Sequence, residues 1–316
     1  MLSFSIPVII VARFIDFSRR APSLAIRSTI FPRSNLFQNQ SRSLSLSLVR
    51  NMASSSLLTG LENKVVLITG GSSGIGRYSA VEFAKNGCKV VISGRSESGL
   101  SETSALIRES ASSATIVQVV ADLENPEECK RVVAETVSKL GQLDVLVNSA
   151  GILQRGSIET LTLEEFDKQM NINIRSVFVI TQAAVPHLKA TKGSIVNISS
   201  VTGHRAAPGV LSYNVSKAAL DHFTRSVALE LAPAGVRCNA VNPGVVVTNC
   251  HRNAGLTEED YAKFLEHSKT THALGRVANA EEVAKAIVFL SSNELSGFMT
   301  GVTLPIDGGR GITCPR

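Results

Sequence analysis

The stretch that most constrains this chain is an apolar run that passes directly into a glycine turn and then into a helical pattern. Lys64-Val-Val-Leu-Ile-Thr69 is followed without a spacer by Gly70-Gly71-Ser72-Ser73-Gly74-Ile75-Gly76, and Arg77 to Asn86 then reads as a helix closed by Gly87. A short β-branched run of this kind suits a strand buried on both faces of a parallel sheet. The glycines let the backbone approach a ligand closely, and the helix that follows presents unpaired amides and the positive end of its dipole. Together these features predict a pyrophosphate site contacted by Gly70, Ser72, Ser73, Gly74, Ile75 and Gly76. The spacing is G-x-x-x-G-x-G rather than the commoner G-x-G-x-x-G, so the strand and helix on either side carry the reading.

The alternation then repeats. Strands are expected at 88–93, 115–121, 143–147, 193–199, 236–241 and 303–306, with helices at about 100–110, 126–140, 213–231 and 280–292 and one or two helices over 163–188. This pattern predicts one α/β domain over residues 56–316, a doubly wound parallel sheet of Rossmann-like type with right-handed crossovers. Ligands of such sheets lie beyond the carboxyl ends of the strands. The expected strand ends carry Arg95 after the second strand, Asp122 and Leu123 after the third, Asn148 and Ala150 after the fourth, and Pro243, Gly244, Val246 and Thr248 after the sixth. The second strand ends in Gly94-Arg95 with no acid to hold a ribose 2′-hydroxyl, and an arginine there suits a 2′-phosphate. The expected cofactor is NADP(H), with NAD(H) possible; the alternative is that Arg95 is only a solvated loop charge.

The chemistry is expected from the second half. Ser200 ends the fifth strand, and Tyr213-Asn214-Val215-Ser216-Lys217 opens the next long helix. Residues four apart share a helix face, so an ammonium beside the phenol is expected to lower the tyrosine pKa from its ordinary value near 10 toward working pH. Taken alone, the pair is more often two surface residues. Asn173 lies inside a predicted helix, where asparagine is disfavoured, and a local bend that frees a carbonyl to hold water would explain it. The polar stretch from Leu256 to Arg276 reads as a mobile lid whose His267 and His272 are solvated rather than catalytic. A substrate wall is expected from 152–154, 201–211 and this lid.

Charge and cysteine usage narrow the class. The formal charge is +6, yet the seven arginines and single acid of residues 1–60 account for it, leaving 25 basic and 25 acidic residues elsewhere. A neutral globular part argues against nucleic-acid binding. The five cysteines are scattered, with no C-x-x-C and no zinc-like spacing, which suits reduced thiols and no metal. Residues 1–55 are rich in Arg and Ser and nearly free of acid, as organellar transit peptides are. Mitochondrial import is expected, with a cytoplasmic form if translation starts at Met52. The longest apolar run of this leader is too short to span a membrane.

From about residue 61 to 310 the chain resembles the short-chain dehydrogenase/reductase family. The resemblance rests on Thr69-Gly-Gly-Ser-Ser-Gly-Ile-Gly76, Asp122, Asn148-Ser-Ala-Gly151, Asn173, Ser200, Tyr213-x-x-x-Lys217 and Pro243-Gly244, in the family's order. Ser149 departs from the second Asn usual in that motif. The resemblance implies that Tyr213 is the general acid or base, and that Lys217 lowers its pKa and holds the nicotinamide ribose. It implies that Ser200 bonds the substrate oxygen and that Asn173 holds a water joining Lys217 to solvent. It further implies that Asp122, Leu123, Asn148 and Ala150 line the cofactor site and that the loop of Pro243, Gly244, Val246 and Thr248 contacts the nicotinamide end. It also implies an NADP(H)-dependent interconversion of a carbonyl and a secondary alcohol, and a homotetramer built on the two long helices after strands four and five. Within the family, 198–203 and 300–309 are most similar to 3-oxoacyl-carrier-protein reductases. Pro233-Ala234-Gly235, however, lacks the arginine those enzymes often place after the tyrosine helix, so a ketone, steroid, retinoid or alcohol substrate stays open. A non-catalytic NADP-sensing module is the alternative from another class; the presence of Tyr213, Lys217 and Ser200 argues against it.

Overall fold

The computed structural model describes residues 59–313. The expected leader, Met52 and Cys314 lie outside the described residues.

Seven parallel strands form one sheet: β1 Val65–Thr69, β2 Lys89–Gly94, β3 Ile116–Val120, β4 Val145–Asn148, β5 Ser194–Ile198, β6 Arg237–Pro243 and β7 Thr303–Ile306, in the order β3-β2-β1-β4-β5-β6-β7. The order reverses between β1 and β4, which opens the crevice where such sheets bind ligands. Val66 is in register with Val90 on one side and Val145 on the other. Alternate side chains therefore feed two cores. Val66, Ile68, Val90, Ile92, Val145, Val147 and Val196 join one, and Leu67, Val91, Leu146 and Ile195 join the other. Burial on both faces explains why the strands read as continuous apolar runs.

The helices are α1 Gly74–Lys85, α2 Glu97–Ser110, α3 Pro126–Leu140, α4 Leu163–Met170, α5 Ser176–Thr191, α6 Leu211–Leu231, α7 Cys250–Asn253, α8 Glu258–Thr271, α9 Ala280–Ser291 and α10 Asn293–Ser296. Their starts fall into two groups. Side chains of Ser96, Asn125, Thr162 and Thr257 cap α2, α3, α4 and α8, and each of these helices carries acid in its first turn. By contrast, α1 and α6 have no side-chain cap and no first-turn acid. These two starts face the crevice, where an acid would repel an anionic ligand.

The structure corrects two expectations and sharpens a third. The helix of Tyr213 begins at Leu211, so the tyrosine sits inside its first turn rather than opening it. The expected 163–188 stretch is two helices joined by a π-helical turn, Asn171–Arg175, at the position where a local bend is expected. The 256–276 segment is anchored rather than free. Tyr261 is buried and its hydroxyl donates to Thr248 O at 3.0 Å. His272, expected to be solvated, is also buried. Its Nδ1 donates to Ser268 O at 2.6 Å and its Nε2 accepts from Val245 N at 3.1 Å, which fixes the neutral tautomer. Gly244 is required by that contact, because a Cβ there would lie 2.6 Å from His272 Nε2. Among the described residues no helix is long and apolar enough to cross a membrane.

Candidate active site

The carboxyl ends of the strands open into a cleft of about 1240 Å³. Its first half is built on the β1–α1 turn. Gly70 has φ +66° and would place a Cβ 2.8 Å from Ala150 N, and a Cβ on Gly76 would lie 2.3 Å from Gly70 O. The turn is therefore as tight as the backbone permits, and only glycine fits. Thr69 Oγ1 accepts from both Ser149 N and Ala150 N at 3.1 Å, which holds the end of β4 against it. A Cβ on Gly74 would project to 3.3 Å from Thr248 Cγ2. The gap between the start of α1 and the loop after β6 is thus kept open by the missing side chain. Ser72, Ser73, Ile75, Arg95, Asp122 and Leu123 also line this half, as do Ala150, Pro243, Gly244 and Val246. The loop carrying Val246 and Thr248 is held by a parallel bridge between Val246 and Ala278.

Arg95 and Arg77 share this half but differ in availability. Arg77 is tied to Glu102 at 2.8 Å and to Thr103 Oγ1 at 3.1 Å. Arg95 is exposed and, among the described residues, makes no side-chain hydrogen bond or ion pair. A side chain at Gly94, where an acid would hold a ribose, would meet Ser72 Oγ at 3.0 Å.

The second half holds Ser200, Tyr213 and Lys217. Ser200 caps a 3₁₀ turn over Val201–Gly203, its Oγ accepting from Thr202 N at 3.1 Å. Lys217 is buried, with Nζ donating to Ile198 O at 2.7 Å and lying 5.4 Å from the centre of the Tyr213 ring. The expected lowering of the tyrosine pKa is reversed. Burial pushes the Tyr213 phenol above its ordinary value, with a smaller push from Cys250 and a partial offset from the Ser200 hydroxyl. Burial also lowers Lys217 to about 8, against upward pulls from Cys250 and Asp221. Desolvation penalises the charged form of each group and is the largest cause of both shifts. Around neutral pH the tyrosine holds its proton and the lysine is a weakly held cation.

Two predicted residues do not reach the cleft wall. Asn148 lies beneath it, with Nδ2 donating to Asn197 Oδ1 at 2.9 Å and Thr181 Oγ1 at 3.3 Å. Asn173 is buried in the π-helical turn, where its amide is fully engaged. Oδ1 accepts from Ile152 N at 2.9 Å, and Nδ2 donates to Ile152 O at 3.0 Å and Ser216 Oγ at 3.1 Å. Ser216 in turn donates to Tyr213 O at 2.8 Å. Asn173 thus ties the loop after β4 to the tyrosine turn, and the π-helical turn supplies the expected local bend.

Several lining residues had no sequence signal. Cys250, His251, Arg155 and Arg310 all border the second half. Burial, helped by Arg310 and Arg155, lowers His251 to about 4, so it is neutral, and its ring packs 4.3 Å from that of Phe264. Among the described residues no group of three His, Cys, Asp or Glu side chains could hold a metal ion.

Comparison with known proteins agrees with this geometry. A family model described as enoyl-(acyl carrier protein) reductase matches residues 70–310. The chain is 38% identical over 251 residues to the 3-oxoacyl-[acyl-carrier-protein] reductase FabG of Thermotoga maritima, covering 79% of this chain and 98% of that protein. It is 36% identical over 256 residues to cyclopentanol dehydrogenase of a Comamonas species, covering 79% and 97%. Among solved structures, levodione reductase superposes with a TM-score of 0.77 at 32% identity, covering 80% and 99%. A short-chain dehydrogenase/reductase of unknown function from Caenorhabditis elegans, solved with cofactor, gives 0.76 at 34%, covering 80% and 97%.

Proposed function

This chain belongs to the short-chain dehydrogenase/reductase family and is an NAD(P)-dependent oxidoreductase, and from that premise we propose that it uses NADP(H) to interconvert a carbonyl and a secondary alcohol, with Tyr213 as the proton donor and acceptor. The observation that carries this reading is the convergence of Ser200, Tyr213 and Lys217 beside a cleft half that is built for a dinucleotide.

The uncapped start of α1 and the gap above Gly74 fit a pyrophosphate, and Ser72, Ser73 and Ile75 would line it. Arg95 would meet a 2′-phosphate, while the residue before it is Gly94, not an acid that would select a 2′-hydroxyl, and a side chain there would crowd Ser72. The bound nicotinamide supplies the hydride in reduction and takes it in oxidation. The Ser200 hydroxyl would hydrogen-bond the substrate oxygen, so charge developing there is stabilised. Tyr213, held protonated by burial, would give its proton to that oxygen. Lys217 would stabilise the phenolate that remains, and the bend at Asn171–Arg175 would place a backbone carbonyl for the water that restores the proton. In oxidation the same groups act in reverse.

3-Oxoacyl-carrier-protein reduction is the leading specific reading, supported by the likeness to FabG. The likeness to cyclopentanol dehydrogenase favours a small ketone or alcohol instead. The NADP-sensing alternative loses support because the proton-transfer groups are intact. We assign a homotetramer through α5 and α6, which expose Phe178, Val215 and Leu229, and a mitochondrial address on the Arg- and Ser-rich leader.

The test is a panel of carbonyl and alcohol substrates, including a 3-oxoacyl-carrier protein, assayed with NADPH and NADH on wild type and Arg95→Ala. Arg95→Ala should weaken NADPH by about tenfold relative to NADH, the scale of one charge-assisted contact. An unchanged ratio removes the 2′-phosphate contact, and no turnover with any substrate removes the enzymatic reading.

A further inference from the structure

The titratable groups lining the cleft are unevenly distributed. The acids are Glu102, Asp122 and Glu124, all from segments after β2 and β3 on the dinucleotide side, and Glu102 is already paired with Arg77. The far side, beyond β4 and β6, carries Arg155, Lys168 and Arg310 with His251 and His267, and no acid. His251 is neutral, so the arginines set the charge there.

Both arginines stand on fixed backbone. Gly156, next to Arg155, forms a parallel bridge with Val210, with Gly156 N donating to Gly209 O at 2.9 Å and Leu211 N to Gly156 O at 3.2 Å. Arg310 lies in the turn after β7. Asp307 organises that turn by accepting from Gly309 N at 2.9 Å and Gly311 N at 2.6 Å. Arg205 donates to Arg310 O at 2.8 Å, and Thr313 Oγ1 donates to Thr271 O at 3.1 Å, so the turn is tied to both the loop after β5 and the end of α8. Among the described residues neither the Arg155 nor the Arg310 guanidinium makes a hydrogen bond or an ion pair. Asp307 is the acid that acts on Arg310, but its oxygens are engaged by the turn amides. Arg310 is half-buried without a carboxylate of its own, which is costly unless a ligand completes it, while Arg155 is exposed at the mouth of the same cleft.

We infer that Arg310 and Arg155 form an anion-recognition site in the substrate half, so that the substrate of Tyr213 carries a carboxylate or phosphate group away from its carbonyl. The uncapped, acid-free start of α6 beside them adds to the same preference. The inference rests on the second half being the substrate half, and it goes further by naming the substrate's charge. A simple cyclic alcohol would leave both guanidiniums unmatched, whereas an oxo acid or a phosphate-bearing acyl carrier would engage them.

The test reads binding without turnover. Full-length protein saturated with NADP⁺ is titrated calorimetrically with hexanoate, hexanamide and hexyl phosphate. Hexanoate or hexyl phosphate should bind at least about tenfold tighter than hexanamide, the scale of one charge-assisted pair, and the tighter of the two names the anion. Arg310→Gln should remove most of that preference, Arg155→Gln part of it, and Arg310→Lys should restore some. Melting temperatures should stay unchanged, because neither side chain holds another element in place. In turnover, Arg310→Gln should raise KM for an oxo acid while sparing kcat and the kinetics of its methyl ester. Equal binding of anion and amide, undetectable binding of both anions, or a preference that survives the double glutamine variant overturns the site. If no substrate is turned over while the anion preference stands, the proton-transfer reading has failed and this one has not.

Discussion

On the β1–β3 side the cleft is walled mainly by backbone: a glycine turn, an uncapped helix start and a gap above Gly74. On the β4–β7 side it is walled by side chains drawn from five separate places: Ser200, Tyr213, His251, Arg155 and Arg310. A backbone site needs particular small residues in a row, because any Cβ would collide, as at Gly76. A side-chain site needs only that loops converge, so its members can be far apart in the chain. The first side is therefore intolerant of substitution and general in what it binds; the second is tolerant and specific.

Changes on the backbone side should have the largest effects on cofactor affinity. Gly76→Val would drive side-chain atoms into Gly70 O. Titration should show affinity for NADPH and NADH falling together by about a hundredfold or more, the scale of overpacking a tight site. Unchanged affinity for either cofactor would show that the turn is looser than its geometry indicates.

A smaller effect tests the side-chain half through pH. His251 is lowered from 6.5 to about 4 mainly by burial. Between those values the unfolded chain binds a proton that the folded chain does not, so stability is present above pH 6.5 and is lost as pH falls toward 4. Relative to His251→Phe, wild type should lose up to about 3 kcal/mol over that range in denaturant titrations. Parallel curves for the two proteins would place His251 in water.

The smallest expected change lies where the two sides meet. His272→Ala leaves Val245 N and Ser268 O without their partner and should cost about 1–3 kcal/mol. Because His272 supports the Gly244–Val245 backbone from behind and does not itself line the cleft, kcat should change little once the protein is folded. A large kcat loss at full stability would give this histidine a chemical role.

The same contrast explains what could be read from the chain alone. The glycine turn, the seven strands, Arg95 and the Tyr213–Lys217 spacing are local patterns, and local patterns survive in a sequence. Burial does not. It hides His272 in the core, places Asn148 beneath the cleft wall, and raises rather than lowers the Tyr213 pKa. Asn173 was conspicuous as a mid-helix asparagine, yet its grip on Ile152 needed the π-helical turn to be seen. Arg155 and Arg310 gave no signal because more than 150 residues separate them, and only the fold brings them to one wall.

The central claim is that Tyr213 carries the proton on the side-chain half while the backbone half holds the cofactor independently. Tyr213→Phe keeps the ring and removes the hydroxyl. Cofactor affinity by fluorescence titration and turnover at saturating cofactor, measured on the same preparation, test the claim directly. Turnover should fall by about 10²–10⁴-fold, the usual contribution of general acid–base catalysis, with cofactor affinity within about twofold of wild type. Turnover that survives, or affinity and turnover lost together, would contradict it.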